Sequence, residues 1–175
     1  MNIRTLSTAL ATSLTMLLAA PSTLASDPEK VEGPVMVEYI KASEFTDIKD
    51  EPFRTRVEKN THLIQLRKFL HKEASEYLQK GQKLKISFTD IDLAGDYEPA
   101  RGPQLNDIRI IRELYPPRLK FNYALMDRSG NLIKEDKVEL RDMAFMMRTS
   151  IHRNDPLYHE KYMLDKWLRE TFEKE

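Results

Sequence analysis

The sequence predicts an α+β domain: a mostly antiparallel sheet of about five strands, a long helix after the first strand, and a C-terminal helix packed on the sheet. Three observations predict it. Apolar and polar residues alternate in short runs at 35–40, 84–93 and 119–140, the period of a half-buried strand. Between the first two runs, Val57, Leu63, Leu66, Leu70, Ala74 and Tyr77 recur at helical spacing. A second helical stripe near the end of the chain is formed by Leu157, Leu164, Trp167 or Leu168, and Phe172. Strands and helices are segregated, as in a sheet with helices on one face.

Met1 to Arg4 gives a short positive start, and Leu6 to Ala20 is an uncharged, mostly apolar run. Thr23-Leu24-Ala25 then offers the small residues a signal peptidase reads. Residues 1–25 are therefore expected to be a cleaved export signal, since the apolar run is shorter than the roughly 20 residues that span a bilayer. No later segment is apolar for long enough to be a transmembrane helix. There is no cysteine, so no lipoprotein anchor is expected. Residues 26–34, polar and broken by two prolines, read as a flexible leader, and 35–175 as one domain.

Val35, Val37 and Tyr39 predict the first strand. Ser43 to Glu51 is rich in turn and capping residues, and Pro52 fits a first helical turn. With no proline or glycine from there to Lys80, the helix is expected to run about 40 Å at 1.5 Å per residue, with Gly81 as its C-terminal cap. Leu84, Ile86 and Phe88 begin a strand that continues through Thr89-Asp90-Ile91-Asp92-Leu93 to Ala94-Gly95. Residues 95–106 are irregular, 107–114 strand-like, and Pro116-Pro117 is a break. Leu119, Phe121, Tyr123 and Leu125 form a strand that turns at Asp127 to Asn131 and returns to Leu140, a hairpin. Met143 to Met147 fits a short helix or the end of the sheet. Asn154 or Asp155 is expected to cap the last helix, with Pro156 in its first turn.

Lysine plus arginine and aspartate plus glutamate each number 28. Loss of the signal removes Arg4 and no acid, leaving the mature charge at minus one. That balance excludes the net basic face of a nucleic-acid binder. With no disulfide framework available, stability must come from a hydrophobic core, which a chain of this length can bury.

Several segments together resemble a known family. They are Glu44-Phe45-Thr46-Asp47-Ile48, Gly81-Gln82-Lys83-Leu84 leading into Thr89-Asp90-Ile91-Asp92-Leu93-Ala94-Gly95, Pro116-Pro117-Arg118, and Glu160 to Trp167. This set resembles the "domain of unknown function 3016" family of bacterial exported proteins across most of residues 35–172. The resemblance implies a Gram-negative envelope protein located in the periplasm. It implies no activity, substrate or catalytic residue.

The most chemical-looking stretch is Asp90 to Glu98. Alternation places Asp90 and Asp92 on one face of a strand, and Asp96 and Glu98 can curl back after Gly95. Asp90, Asp92, Asp96 and Glu98 are thus the candidate ligands for a divalent cation such as Ca²⁺, which takes six to eight oxygens. An EF-hand is excluded, because Ala94 holds its fifth position and Arg101 its twelfth. The plainer reading has Asp90 and Asp92 capping turns or pairing with Arg101 or Arg109. As an acid and base pair across a glycosidase cleft they lack an identifiable second wall.

His62 and His71 are nine residues apart and fall on opposite helix faces. His159-Glu160 lacks the second histidine of a zinc protease motif. Met143, Met146, Met147 and Met163 suit Cu(I) by chemistry but fit gap-filling core positions. Trp167, with Tyr158 and Tyr162, is either a partner anchor or part of the buried stripe. No nucleophile elbow or phosphate loop is present, and no catalytic residue or cofactor is assigned.

The expected function is a non-catalytic binding or envelope-support protein with an envelope protein partner. It would make contact through the outer face of the long helix or an exposed sheet edge. The alternatives are a divalent-cation or small-ligand binder using the Asp90/Asp92 loop, and a hydrolase joining those carboxylates to His152 or His159.

Overall fold

A computed structural model of the chain describes residues 33–50, 57, 59–98, 108–148 and 154–173. Residues 1–32, which hold the expected export signal and most of the expected leader, lie outside them. Among the described residues there are six strands: β1 (Val35–Tyr39), β2 (Lys83–Asp92), β3 (Asp96–Tyr97), β4 (Arg109–Ile110), β5 (Arg118–Met126) and β6 (Leu132–Arg141). Two α-helices lie among the same residues, α1 (Thr61–Tyr77) and α2 (Tyr158–Phe172). The main sheet has the order β1-β2-β5-β6, and β3 pairs with β4 in a separate two-stranded ribbon. The sheet is mixed: β1 runs parallel to β2, and the other two pairings are antiparallel. A parallel pair needs a long crossover, and here the crossover contains α1.

One sheet face carries the core. Val35 and Val37 of β1, Leu84, Ile86 and Phe88 of β2, and Leu119, Phe121, Tyr123 and Leu125 of β5 are buried against the helices. From α1 come Leu63, Leu66, Leu70 and Ala74, and from α2 come Met163, Leu164, Trp167 and Leu168. Trp167 belongs to the core: its ring stands edge-on to Phe121 at 4.7 Å and to Tyr123 at 5.3 Å. The other face is open and polar. There Glu38 meets Lys85 at 2.9 Å and Lys120 meets Glu139 at 3.9 Å, exposed pairs that contribute little stability.

The apolar positions of β2 change phase, from 84, 86 and 88 to 91 and 93, and strict alternation from Phe88 would drive Asp90 into the core. A β-bulge resolves this. The register passes from Phe88↔Phe121 to Asp90↔Lys120 with Thr89 unpaired. The extra residue returns Asp90 and Asp92 to the open face and Ile91 to the core.

The first helix differs from expectation. It spans 17 residues, roughly 25 Å, and begins at Thr61, not Pro52. Asn60 explains the start. Its side chain accepts the Leu63 N–H at 3.0 Å and donates to the Ile48 carbonyl at 2.7 Å, fully buried. One side chain thus caps the helix and ties it to the chain leaving β1. Residues 51–56 lie outside the described residues. The helix ends at Tyr77 with Leu78 as cap, so Gly81 is not its cap. Gly81 instead takes φ +92° in the turn before β2.

The hairpin of β5 and β6 forms as expected, with Asp127 Oδ1 accepting the N–H groups of Ser129 and Asn131. Residues 145–147 form a short 3-10 helix. Met163 is buried, but Met143, Met146 and Met147 are exposed, so three of the four methionines are not core fillers. The final helix starts two residues after Pro156, and Asp155 caps the turn before it by accepting the Leu157 N–H. Among the described residues no helix is long and apolar enough to cross a membrane.

Asn60→Ala removes the cap and leaves the Ile48 carbonyl unpaired. It is expected to lower unfolding free energy by about 2–4 kcal/mol, measured by denaturant titration. Ile133→Ala on the exposed edge, as control, is expected to change it by about 0.5 kcal/mol or less.

Candidate functional site

The carboxyl ends of β1 and β2 point to the same end of the sheet, and there the chain after β1 rejoins β2. The Asp47 N–H donates to the Ile91 carbonyl at 2.9 Å, and the Leu93 N–H to the Asp47 carbonyl at 3.1 Å. Asp47 and Asp92 thereby form a parallel bridge beyond the end of β1. Leu93-Ala94-Gly95 then leaves the sheet toward β3. Gly95 has φ +76°, and a Cβ on it would lie 2.6 Å from the Ile110 carbonyl oxygen. Only glycine fits between the two segments.

Arg109 closes this end. Its Nη1 donates to the carbonyls of Gly95 at 2.6 Å and Ala94 at 3.3 Å. Its Nη2 donates to Asp47 Oδ2 at 2.9 Å and to the Lys49 carbonyl at 3.3 Å. The pair is largely buried, with side chains 13% and 9% exposed. Tyr97 covers the guanidinium, its ring centre 5.2 Å away.

Asp90 and Asp92 are brought together on the open face, with Arg118 as their shared partner at 3.5 and 3.6 Å. Arg109 does not take that place, since it holds Asp47, and Arg101 lies outside the described residues. Asp90 also accepts the Thr46 N–H at 2.8 Å and the Thr46 hydroxyl at 3.0 Å. Burial raises the Asp92 carboxyl above its usual range, opposed by Arg118 and reinforced by Asp47 and Asp90. Asp96 pairs with Lys49 at 3.1 Å and Glu98 with Arg112 at 3.3 Å. The four sequence candidates thus spread over three cationic partners. Among the described residues no three His, Asp or Glu side chains are grouped to hold a metal ion. A cleft of about 310 Å³ opens between Thr46, Lys49, Asp92, Asp96, Tyr115 and Arg118.

In the sequence Glu160 stands out as part of an incomplete zinc motif and as the start of a segment shared with the resembled family. In the structure it is fully buried. Its Oε1 accepts the Ala94 N–H at 2.7 Å, while Oε2 has no partner among the described residues. Burial pushes its carboxyl up to about 7, against the pull of the Ala94 N–H and Arg109. His159 beside it stands edge-on to Phe145 at 4.9 Å, and burial and Arg148 lower its basicity. His62, lowered by burial and by Arg109, is on α1 with His71; His152 lies outside the described residues. A signal for Glu160 was present in the sequence, since it sits on the apolar stripe between Leu157 and Leu164. Arg109 has no comparable local signal.

The arrangement defines a class: a two-layer α+β protein whose sheet end is locked by a buried arginine and a buried glutamate. The family model described as "Protein of unknown function (DUF3016)" matches residues 33–170, and the chain belongs to that family. No curated protein and no solved structure matches the chain.

Two expectations follow. Arg109→Ala leaves Asp47 buried without its cation, and unfolding free energy is expected to fall by about 3–5 kcal/mol. Arg109→Lys, which cannot span four acceptors, is expected to recover under half of that loss. For Glu160 the native state holds a proton between pH 4.5, its ordinary value, and about 7. The stabilisation is complete below pH 4.5 and is lost as pH rises through 7, on the order of 3 kcal/mol in all. Glu160→Gln keeps the acceptor without the charge. Its unfolding free energy, titrated against pH, is expected to show a flatter decline over this window and to exceed that of the parent at pH 8.

Proposed function

We propose that the protein is exported to the periplasm and works there by binding or supporting another envelope component, without catalysis. The observation that carries this reading is the commitment of the charges at the sheet end. Arg109 holds Asp47 and three carbonyls, Arg118 holds Asp90 and Asp92, and Lys49 holds Asp96. These groups bond to the protein itself, and the Asp90 to Gly95 segment thereby helps to fix one end of the sheet. Export rests on the pattern of residues 1–25.

A second reading is supported by the cleft. Its volume suits a small polar molecule or hydrated cation, and Asp92 lies in its wall. This would make the protein a small-ligand or cation binder.

The test has two parts. Expressed in a Gram-negative host, the protein is expected in the periplasmic fraction with an N-terminus at Ser26. A cytoplasmic, unprocessed chain overturns the export reading. Thermal unfolding is then measured with chelator and with Ca²⁺, Mg²⁺, Mn²⁺ and Zn²⁺ in turn, and no rise is expected. A site saturated a hundredfold above its dissociation constant would add about 2.7 kcal/mol. A rise of that size, abolished in Asp92→Asn, replaces the first reading with the second.

A further inference from the structure

We propose that two copies of the chain pair antiparallel along β6, joining their four-stranded sheets into one continuous sheet about a two-fold axis at Val138. β6 is the outermost strand. Its residues from Leu132 to Lys137, with Glu139 and Arg141, are exposed, and only Val138 and Leu140 are half-buried. An edge strand presents a row of unpaired N–H and C=O groups. The devices that normally blunt an edge are sparse here. The strand contains no proline or glycine, and its one register shift lies beside the hairpin turn, leaving Lys134 to Arg141 regular.

Charge is the remaining device, and its order is what selects a partner. A two-fold axis normal to the sheet keeps each face on its own side and sets the residue on the axis opposite itself. Between Lys134 and Glu139 the sequence reads Lys-Glu-Asp-Lys-Val-Glu. An axis at any of these positions except Val138 puts a charge against its own copy, which is unfavourable for directly opposed residues. With the axis at Val138, Lys137 falls opposite Glu139 of the second copy and Glu135 opposite Arg141. Symmetry makes each pair twice. All of these side chains belong to the open face, since their β5 neighbours Ala124, Asn122, Lys120 and Arg118 alternate with the buried ones.

On the other face Val138 meets Val138. It already packs on the core beside Phe121, so the apolar layer would continue across the axis. A groove of about 240 Å³ lined by Leu140, Arg141, Tyr162, Met163, Lys166 and Trp167 lies beside the same stretch, next to where the second copy would stand. The pairing is independent of the binding reading, because it requires neither a foreign partner nor the cleft at Asp92.

Light scattering coupled to gel filtration, across a micromolar concentration series, is expected to show a mass rising from one chain to two. Lys137→Glu and Glu139→Lys, each creating like-charge opposition, are expected to weaken the dimer by about tenfold or more. The double variant exchanges the pair and is expected to restore it. The Glu135→Arg and Arg141→Glu pair repeats the test at a second position. Facing Cα atoms on antiparallel strands are roughly 4.5–5.5 Å apart, within disulfide reach. Val138→Cys, in a chain with no native cysteine, is therefore expected to cross-link to itself on mild oxidation, and Lys134→Cys is not. A monomer at every concentration overturns the proposal. So does a dimer indifferent to the single changes, or a double variant as weak as the singles.

Discussion

The guanidinium of Arg109 is the point on which the upper end of the molecule depends. It is reached by three segments that are remote in sequence: Asp47 to Lys49 after β1, Ala94-Gly95 after β2, and β4, which carries Arg109 itself. Through Ala94 the connection extends to a fourth, because the N–H of that residue is held by Glu160 at the start of α2. The acceptors of Arg109 are three backbone carbonyls and the buried Asp47 carboxylate, groups that need partners where water is excluded. A lysine would supply the charge but not the planar fork of donors that meets four acceptors at once.

Two buried carboxylates serve this end of the sheet in opposite ways. Asp47 is paired with the Arg109 guanidinium at 2.9 Å. Glu160 is fully buried on the same helix stripe as Leu157 and Leu164, where burial outweighs Arg109 and raises its carboxyl to about 7. A carboxyl perturbed by burial is a common mark of catalytic sites. Here the group is fully buried and bonded to a backbone amide, so its protonation bears on the docking of α2. Only one of its oxygens is needed for the Ala94 bond, and protonation of the other removes the cost of a buried charge without breaking that link.

The hairpin and the C-terminal helix were legible because their signals are local. Alternation over Leu119 to Leu125, the Asp127 to Asn131 turn, and the 157, 164, 167/168 stripe each need only neighbours in sequence. The start of α1 was not legible. Residues 52–60 contain no helix breaker after Pro52, and Asn60 becomes a stop only through its bond to Ile48, a contact made by folding. The parallel pairing of β1 with β2 has the same origin, since alternation fixes a strand but not its direction. At the site, the segment was found and its partners were not. Asp90 and Asp92 were placed on one face, correctly, but the sequence had no means of choosing Arg118, which becomes their neighbour through the β2–β5 register. The change of phase from Phe88 to Ile91 lies within a stretch that reads as one continuous strand, and the bulge that accommodates it is seen only in the β2–β5 register.

Aspartate has one recurrent task in this chain, and the acidic look of the motif follows from it. Asp47, Asp127, Asp142 and Asp155 each accept the N–H of the residue two positions on, the Asx turn that lets a short side chain replace a missing backbone acceptor. Asp90 does the same across the sheet for Thr46, and Asp96 for its neighbour Tyr97. Of the carboxylates between 90 and 98, Asp90 and Asp96 thus satisfy backbone N–H groups, while Glu98 pairs with Arg112. Asp92 departs from this pattern. Among the described residues it holds no backbone N–H. It meets Arg118 only at 3.6 Å, and it stands in the wall of the cleft with its proton affinity raised by burial. The β2–β5 register sets Asp92 opposite Arg118 and so accounts for its place by charge pairing, as backbone N–H groups account for Asp90 and Asp96.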